Sequence, residues 1–193
     1  LNAVLGEKIA IVSKKPQTTR NRIMGVHTVG DTQYVFLDTP GIFKPQNSLG
    51  DFMVKTANST MQDGDAVILV ADAGFAPGEV EEGIISYLKR SGIPGILALN
   101  KVDLYRREQI AATIAAYAEK HDFFAVVPIS AKKGKYVGEV LDECAKLLRE
   151  GEWFYEEDMI TDQSQRQMAA ESIREKILRN VDKEIPHGVA VMI

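Results

Sequence analysis

The chain has 193 residues, 45% of them hydrophobic and 26% charged, with a formal net charge of −4. That suits one well-buried domain and part of a second, of ordinary globular composition. The bulk charge lends no support to nucleic-acid binding, although a local basic patch stays compatible with it. The single cysteine, Cys144, excludes an internal disulfide and fits a reducing, cytosolic setting; on its amphipathic stretch it reads as a small apolar group. No apolar run approaches the roughly 20 residues that span a bilayer, and no signal peptide is read.

In chain order, Leu1 to Gly6 reads as the tail of a helix. Arg22 to Val29 and Gln33 to Leu37 read as strands joined at the Gly30-Asp31 turn signal. Ser48 to Met61 has helical spacing. Ala66 to Val70 is a buried-strand run, and Pro77 to Ser91 a helix with Pro77 near its start and Gly92 past its end. Gly95 to Leu99 is a second buried strand, Arg106 to Lys120 an Ala-rich helix, and Phe124 to Ile129 a third buried strand. Tyr136 to Glu150 is a helix with Val137, Val140, Leu141, Ala145 and Leu148 on one face. Gly151 to Asp162, acidic and aperiodic, reads as a linker, with Trp153, Phe154 and Tyr155 packing between domains. Gln163 to Glu184 is a helix with Met168, Ile173, Ile177, Leu178 and Val181 on its apolar side. Residues 185–188 then turn into a final strand. Both ends are expected to be cuts through structure.

Continuous apolar strands alternating with helices predict a parallel sheet covered on both faces. Right-handed crossovers put the strand C-termini on one edge, where such sheets bind ligands. Three polar motifs follow strands there: Asp38-Thr39-Pro40-Gly41, Asn100-Lys101-Val102-Asp103 and Ser130-Ala131-Lys132. Each is common alone; the ordered set is not. Guanine presents N1–H and N2–H donors that the Asp103 carboxylate can accept together. Asn100 can bond N7 and tie neighbouring loops, the Lys101 stem can lie along the base, and the Ala131 N–H can donate to O6. Adenine carries an amino group at that position, so GTP or GDP is expected rather than ATP.

Asp38 stands where a carboxylate holds Mg²⁺. Gly41 lets its N–H reach a γ-phosphate, an interaction that the diphosphate cannot make. Residues 13–22 have no periodicity and four basic side chains, and read as the first switch loop. There a Thr hydroxyl closes on Mg²⁺; Thr18 and Thr19 are both candidates, with Thr19 preferred. Lys132, Lys133 and Lys135 read as a solvated basic loop, and His27, His121 and His187 as structural or solvated.

These residues, with Leu1-Asn2-Ala3-Val4-Leu5-Gly6, Gln17-Thr18-Thr19-Arg20, Ile160-Thr161-Asp162-Gln163-Ser164, Ile173-Arg174-Glu175-Lys176 and Glu184-Ile185-Pro186-His187, closely resemble the bacterial Era family of GTPases over essentially the whole chain. The resemblance implies a P-loop NTPase-type, Ras-like α/β domain at 1–150, a linker at 151–162 and the N-terminal part of a type II KH RNA-binding α+β domain at 163–193. It implies hydrolysis of GTP to GDP and phosphate with Mg²⁺, binding to 16S ribosomal RNA and the 30S subunit during its maturation, and a monomeric cytoplasmic protein with peripheral inner-membrane association.

Two elements of that pattern are not in the 193 residues: the first strand with its G-x-x-x-x-G-K-S/T phosphate loop, expected before Leu1, and the KH G-x-x-G clamp, expected after Ile193. Ile42 follows Gly41 where Ras-like enzymes carry a water-orienting Gln, so water is expected to be oriented by backbone groups, a metal ion or a partner. Two alternatives stand: another ribosome- or tRNA-associated GTPase of the superfamily, and a non-hydrolysing GTPase-like scaffold. The chain as it stands is expected to bind GTP weakly or not at all and to be inactive alone. Titration calorimetry checks this, and a micromolar dissociation constant would contradict it.

Overall fold

A computed structural model describes residues 1–13, 18–41, 57, 59–180 and 189–193. These divide into two compact units, one formed by Leu1–Gln62 with Glu152–Ile193, the other by Asp63–Gly151. Expectations for Lys14 to Gln17, Ile42, His187 and most of the Ser48 to Met61 helix lie outside the described residues; within that helix, residues 59–63 are helical.

The second unit is the parallel α/β part. β3 (Val67–Asp72), β4 (Gly95–Asn100) and β5 (Ala125–Pro128) form a parallel sheet in that order. Between them run α2 (Glu79–Ser91) and α3 (Arg107–Ala118), and α4 (Val137–Ala145) follows β5. The central strand β4 is buried through Gly95-Ile96-Leu97-Ala98-Leu99, as its unbroken apolar run requires. Leu69, Ala71, Leu97 and Leu99 pack on one face with Ile85 and Leu88 of α2, Tyr117 of α3 and Phe123. Burying each large aliphatic side chain contributes about 1.5–3 kcal/mol. On α4, Val137, Val140 and Cys144 are buried, and burial lifts the Cys144 thiol to about 11.

Local chemistry ends these helices where the sequence places the breaks. The Gly78 N–H donates to Glu81 Oε2 at the start of α2 (3.1 Å), and Gly92 closes it in the left-handed region (φ 69°) with its N–H on the Leu88 carbonyl. α4 stops at Ala145, short of Glu150; Ala145 is exposed and Leu148 is 38% exposed. The apolar spacing there continues past the sheet that would bury it. Val70, read as part of a buried run, is 59% exposed: it alternates with the buried Leu69 and Ala71 and so faces the other way, on a strand that ends the sheet order among the described residues.

In the first unit, α1 (Asn2–Leu5) precedes an antiparallel hairpin of β1 (Ile23–Val29) and β2 (Thr32–Asp38), which turns at Gly30 (φ 55°). Leu5, Ile9, Ala10 and Ile23 form a small apolar cluster joined by Phe36 and Met168. Gly25 packs closely under this cluster: a Cβ would lie 2.7 Å from Leu5 Cδ1, so a larger residue would make that side chain shift. The stretch read as a linker is tied to this hairpin. Trp153 Nε1 donates to the Asp31 carbonyl (3.1 Å), the Ile160 carbonyl accepts the Val26 N–H (2.8 Å), and Thr161 Oγ1 donates to the Met24 carbonyl (2.7 Å). Trp153 and Phe154 remain 41% and 86% exposed, so the rings themselves do little packing.

α5 (Gln165–Asn180) opens with a Ser164/Gln167 capping box. Its buried residues are Arg174, Glu175 and Leu178, while Ile173 is 46% exposed. Of the expected apolar side, Leu178 is buried, Met168 packs on the small apolar cluster and Ile177 is half-buried, while Ile173 is exposed and Arg174 and Glu175 share the buried face; Val181 lies outside the described residues. Glu175 accepts from Lys8 Nζ, the Val12 N–H and Arg179 Nη2; Arg174 donates to both Glu171 oxygens and to the Thr18 carbonyl (2.6 Å). Burial alone would raise the Glu175 pKa, but its donors, Lys8 first, outweigh that and hold it below the ordinary 4.5. The final strand expected after residue 188 is not formed: residues 189–193 carry no strand, and the Val189 carbonyl instead accepts from Arg20 Nη1 (2.7 Å).

A carboxyl with a depressed folded-state pKa adds stability above its unfolded pKa and loses it as pH falls through the folded value. Glu175→Gln is expected to destabilise the chain by about 2 kcal/mol near neutrality. The deficit should shrink below pH 4.5, as read by urea denaturation across pH.

Candidate guanine-nucleotide site

Asn100, the last residue of β4, is the junction of the sheet's C-terminal edge. Its backbone carbonyl accepts the Ala73 N–H beyond β3 (2.8 Å). Its side-chain Oδ1 accepts the Lys101 N–H (2.8 Å) and the Ala131 N–H beyond β5 (3.0 Å). Two backbone bonds complete the seam: Ile129 N–H to the Leu99 carbonyl (2.7 Å) and Val102 N–H to the Ile129 carbonyl (3.1 Å). The role of Asn100 in tying neighbouring loops, expected from its residue type, is thus visible. The Ala131 N–H, expected for guanine O6, is already engaged by Asn100.

Asp103 lies in the one-turn helix Val102–Leu104 and accepts from Ser130 Oγ at 2.6 Å. Lys133 Nζ stands 3.8 Å from its other oxygen. The Ser130 hydroxyl holds the Asp103 carboxyl below the usual range against burial, with smaller help from its own backbone amide, Lys133 and Lys132. Ser130 is fully buried and so a rigid support. Lys101 takes a left-handed backbone (φ 69°), uncommon for a residue with a side chain, which a closely held loop sustains. Lys101 Nζ reaches Asp72 Oδ2 at 2.8 Å. Lys132 is exposed in the turn Ala131–Lys133, as a solvated basic loop requires.

In the first unit, Asp38 ends β2 half-buried, and burial raises its pKa. A carboxylate poorly solvated in this way gains from a cation, so its environment fits a Mg²⁺ ligand. Thr39 is half-buried and the Pro40 side chain fully buried, so the turn after Asp38 is anchored. Gly41 is exposed, and a Cβ there would meet nothing within 4 Å. Packing therefore does not demand this glycine. Residues 18–22 have neither helix nor strand, as a loop should. The Thr18 hydroxyl pairs with Ser13 Oγ at 2.8 Å, and its carbonyl takes Arg174; Thr19 is half-buried.

Sequence reasoning named each residue at the β4 and β5 ends but passed over Asp72, the residue in register with Asn100. The signal was present: an acidic residue directly after an apolar run, at the same edge. The Arg174 contact to Thr18 had no local signal.

The motif order, the parallel sheet and the stitched edge are those of an α/β domain with the GTPase-type fold. The chain belongs to the family described as "50S ribosome-binding GTPase", whose model matches residues 1–101. Along its whole length it is similar to proteins named GTPase Era: 45% identical to that of Ruminiclostridium cellulolyticum and 48% to that of Syntrophus aciditrophicus, each over 193 residues. It spans 65% and 63% of the lengths of those two relatives. Among solved structures it is similar to Era in complex with MgGDPNP and nucleotides 1506–1542 of 16S ribosomal RNA, with a TM-score of 0.90 and 37% identity over 96% of this chain and 63% of that one.

Asn100→Ala removes one acceptor for two amides. It is expected to destabilise the second unit by about 2 kcal/mol and to speed hydrogen exchange at the Ala131 amide more than at amides of α3. NMR exchange measurements read both.

Proposed function

We propose that the protein is a GTP-binding and GTP-hydrolysing switch that engages small-subunit ribosomal RNA and assists maturation of the 30S subunit. The observation that carries the nucleotide part is the Asn100 junction with Asp103 hung on Ser130. It pre-sets an acceptor pair for the guanine N1–H and N2–H edge before any ligand arrives. Guanine O6 would share the Ala131 N–H with Asn100. Lys101 and Lys132 would lie beside the base, and Asn100 would face N7.

Asp38 and Thr19 would hold Mg²⁺; Thr18 is the weaker choice, since its hydroxyl is already paired with Ser13. Bound Mg²⁺ supplies charge neutralisation at the β- and γ-phosphate oxygens. The residues of this chain do the rest. Thr39 and the buried Pro40 hold the turn, and Gly41 offers its N–H to the γ-phosphate, a partner the diphosphate state does not provide. Thr18 and Thr19 bring the switch loop toward the phosphates. Ile42 has no polar atom with which to orient water, so that task falls to backbone groups, a metal ion or a partner, and slow turnover follows.

The RNA part is supported by the 16S-bound Era structure similar to this chain. In this reading residues 1–150 are the GTPase domain, 151–162 a linker and 163–193 the start of a KH domain. The same reading makes the protein a cytoplasmic monomer with peripheral attachment to the membrane. Among the described residues, no helix is long and apolar enough to cross one.

The test uses the chain extended ahead of Leu1 by a strand and G-x-x-x-x-G-K-S loop. GDP should bind far more tightly than ADP. Asp103→Asn should weaken GDP by at least about 100-fold, because two charge-assisted bonds are lost. Xanthosine diphosphate, with a carbonyl in place of the 2-amino group, should gain on the variant. Fluorescent-nucleotide competition reads all of these, and equal affinity for both purines would overturn the proposal.

A further inference from the structure

The end of β3 carries a carboxylate that the nucleotide motifs do not include. Asp72 is the last residue of its strand and pairs in register with Asn100. Its two oxygens are divided between tasks. Oδ1 accepts the Gly74 N–H at 3.0 Å, an Asx-turn that locks the carboxylate plane. Oδ2 accepts Lys101 Nζ at 2.8 Å. Burial alone would raise the Asp72 pKa, but Lys101, the Gly74 amide and then Tyr105 outweigh it and hold the carboxyl below the usual range. Tyr105 lies so close over Gly74 that a Cβ there would sit 2.3 Å from the ring, and it meets Phe75 edge-on with centroids 6.4 Å apart. Asp72 is thus held by its own turn and by a packed ring.

Lys101 is consequently fixed at both ends. Its backbone is set in the left-handed region beside Asn100, and its ammonium is set on Asp72. Its side chain is nonetheless 55% exposed, so the methylene stem between those anchors is open rather than packed. A free lysine stem is among the side chains with most rotamer freedom to lose. An open stem already fixed at its root and tip loses little when a flat ring lies along it.

We infer that Asp72 is a positioning residue for nucleotide binding, acting through Lys101 to hold its stem against the guanine ring. This rests on the reading of Asn100 to Asp103 as a guanine site. Asp72 itself does not touch the nucleotide.

Two measurements test it. In the 193-residue chain, the Lys101 ammonium should give a slowly exchanging ¹⁵N NMR signal that disappears in Asp72→Asn while α2 and α3 amides keep their protection. In the chain carrying the added phosphate loop, Asp72→Asn should weaken GDP by about ten-fold, the order expected from freeing one long side chain. In a Lys101→Met background the same change should have no further effect, since a residue acting through Lys101 has nothing left to act on. Asp72→Asn keeps the Oδ1 acceptor for Gly74, so the turn survives. Independent, multiplying losses from Asp72→Asn and Lys101→Met would overturn the inference, as would unchanged GDP affinity in Asp72→Asn or loss of helix protection along with affinity. The Asp103→Asn switch toward xanthine separates the two failures: if it occurs and the Asp72 cycle is additive, the guanine site stands and the positioning role falls. If it does not occur, both fall.

Discussion

One side-chain oxygen holds the ligand edge of the parallel sheet together. Asn100 Oδ1 takes the amide of the residue after it and the amide of a residue in the loop beyond β5. Strands β4 and β5 are joined by their ladder only as far as Leu99 and Pro128. Past that point two backbone bonds, Ile129 N–H to the Leu99 carbonyl and Val102 N–H to the Ile129 carbonyl, continue the seam, and the Asn100 side chain ties in the loop beyond. A carboxamide oxygen suits this place because it has two lone pairs and no charge. An aspartate here would bring a second negative charge beside Asp103. A valine would leave two amides without their acceptor. The placement of Asp103, Ser130 and Lys101 follows from this bridge, since each lies within three residues of one of its ends.

Most of the second unit was legible in its residues. The unbroken run Gly95 to Leu99 demanded a strand covered on both faces, and β4 is one. Gly92 demanded a helix end. The polar triplets after the strands marked the ligand edge, because buried apolar strands give way to polar residues only where backbone leaves the core. Legibility failed where a property depended on distant partners. Val70 has the same residue type as its buried neighbours, and only the face it takes, on a strand that ends the sheet order among the described residues, decides its exposure. Asp72 reads as an ordinary turn residue until Lys101 and Tyr105 are brought to it.

The face of α5 was the largest departure. Period-3.6 reading puts aliphatic residues inward and charged residues outward. Here Arg174 and Glu175 point inward because their partners, Thr18, Val12 and Lys8, come from segments more than 150 residues away in the chain. No window of local sequence holds that information. The charges sit inward because the Glu175 oxygens and Arg174 Nε and Nη2 find hydrogen-bonding partners; Arg174 Nη1 is buried without one.

That polar face sets how α5 can leave. An aliphatic face torn from its neighbours is met by water that offers nothing in return, so separation is steeply uphill. Lys8 and Arg179 already sit 56% and 48% in solvent, and the Val12 amide and Glu175 carboxylate are groups that water hydrates well. Undocking this helix therefore trades many of its hydrogen bonds for others of similar worth, the apolar loss being confined mainly to Leu178 and Met168. Such an attachment is specific in direction yet shallow in depth, and dissolved salt weakens it further by screening the exposed cations.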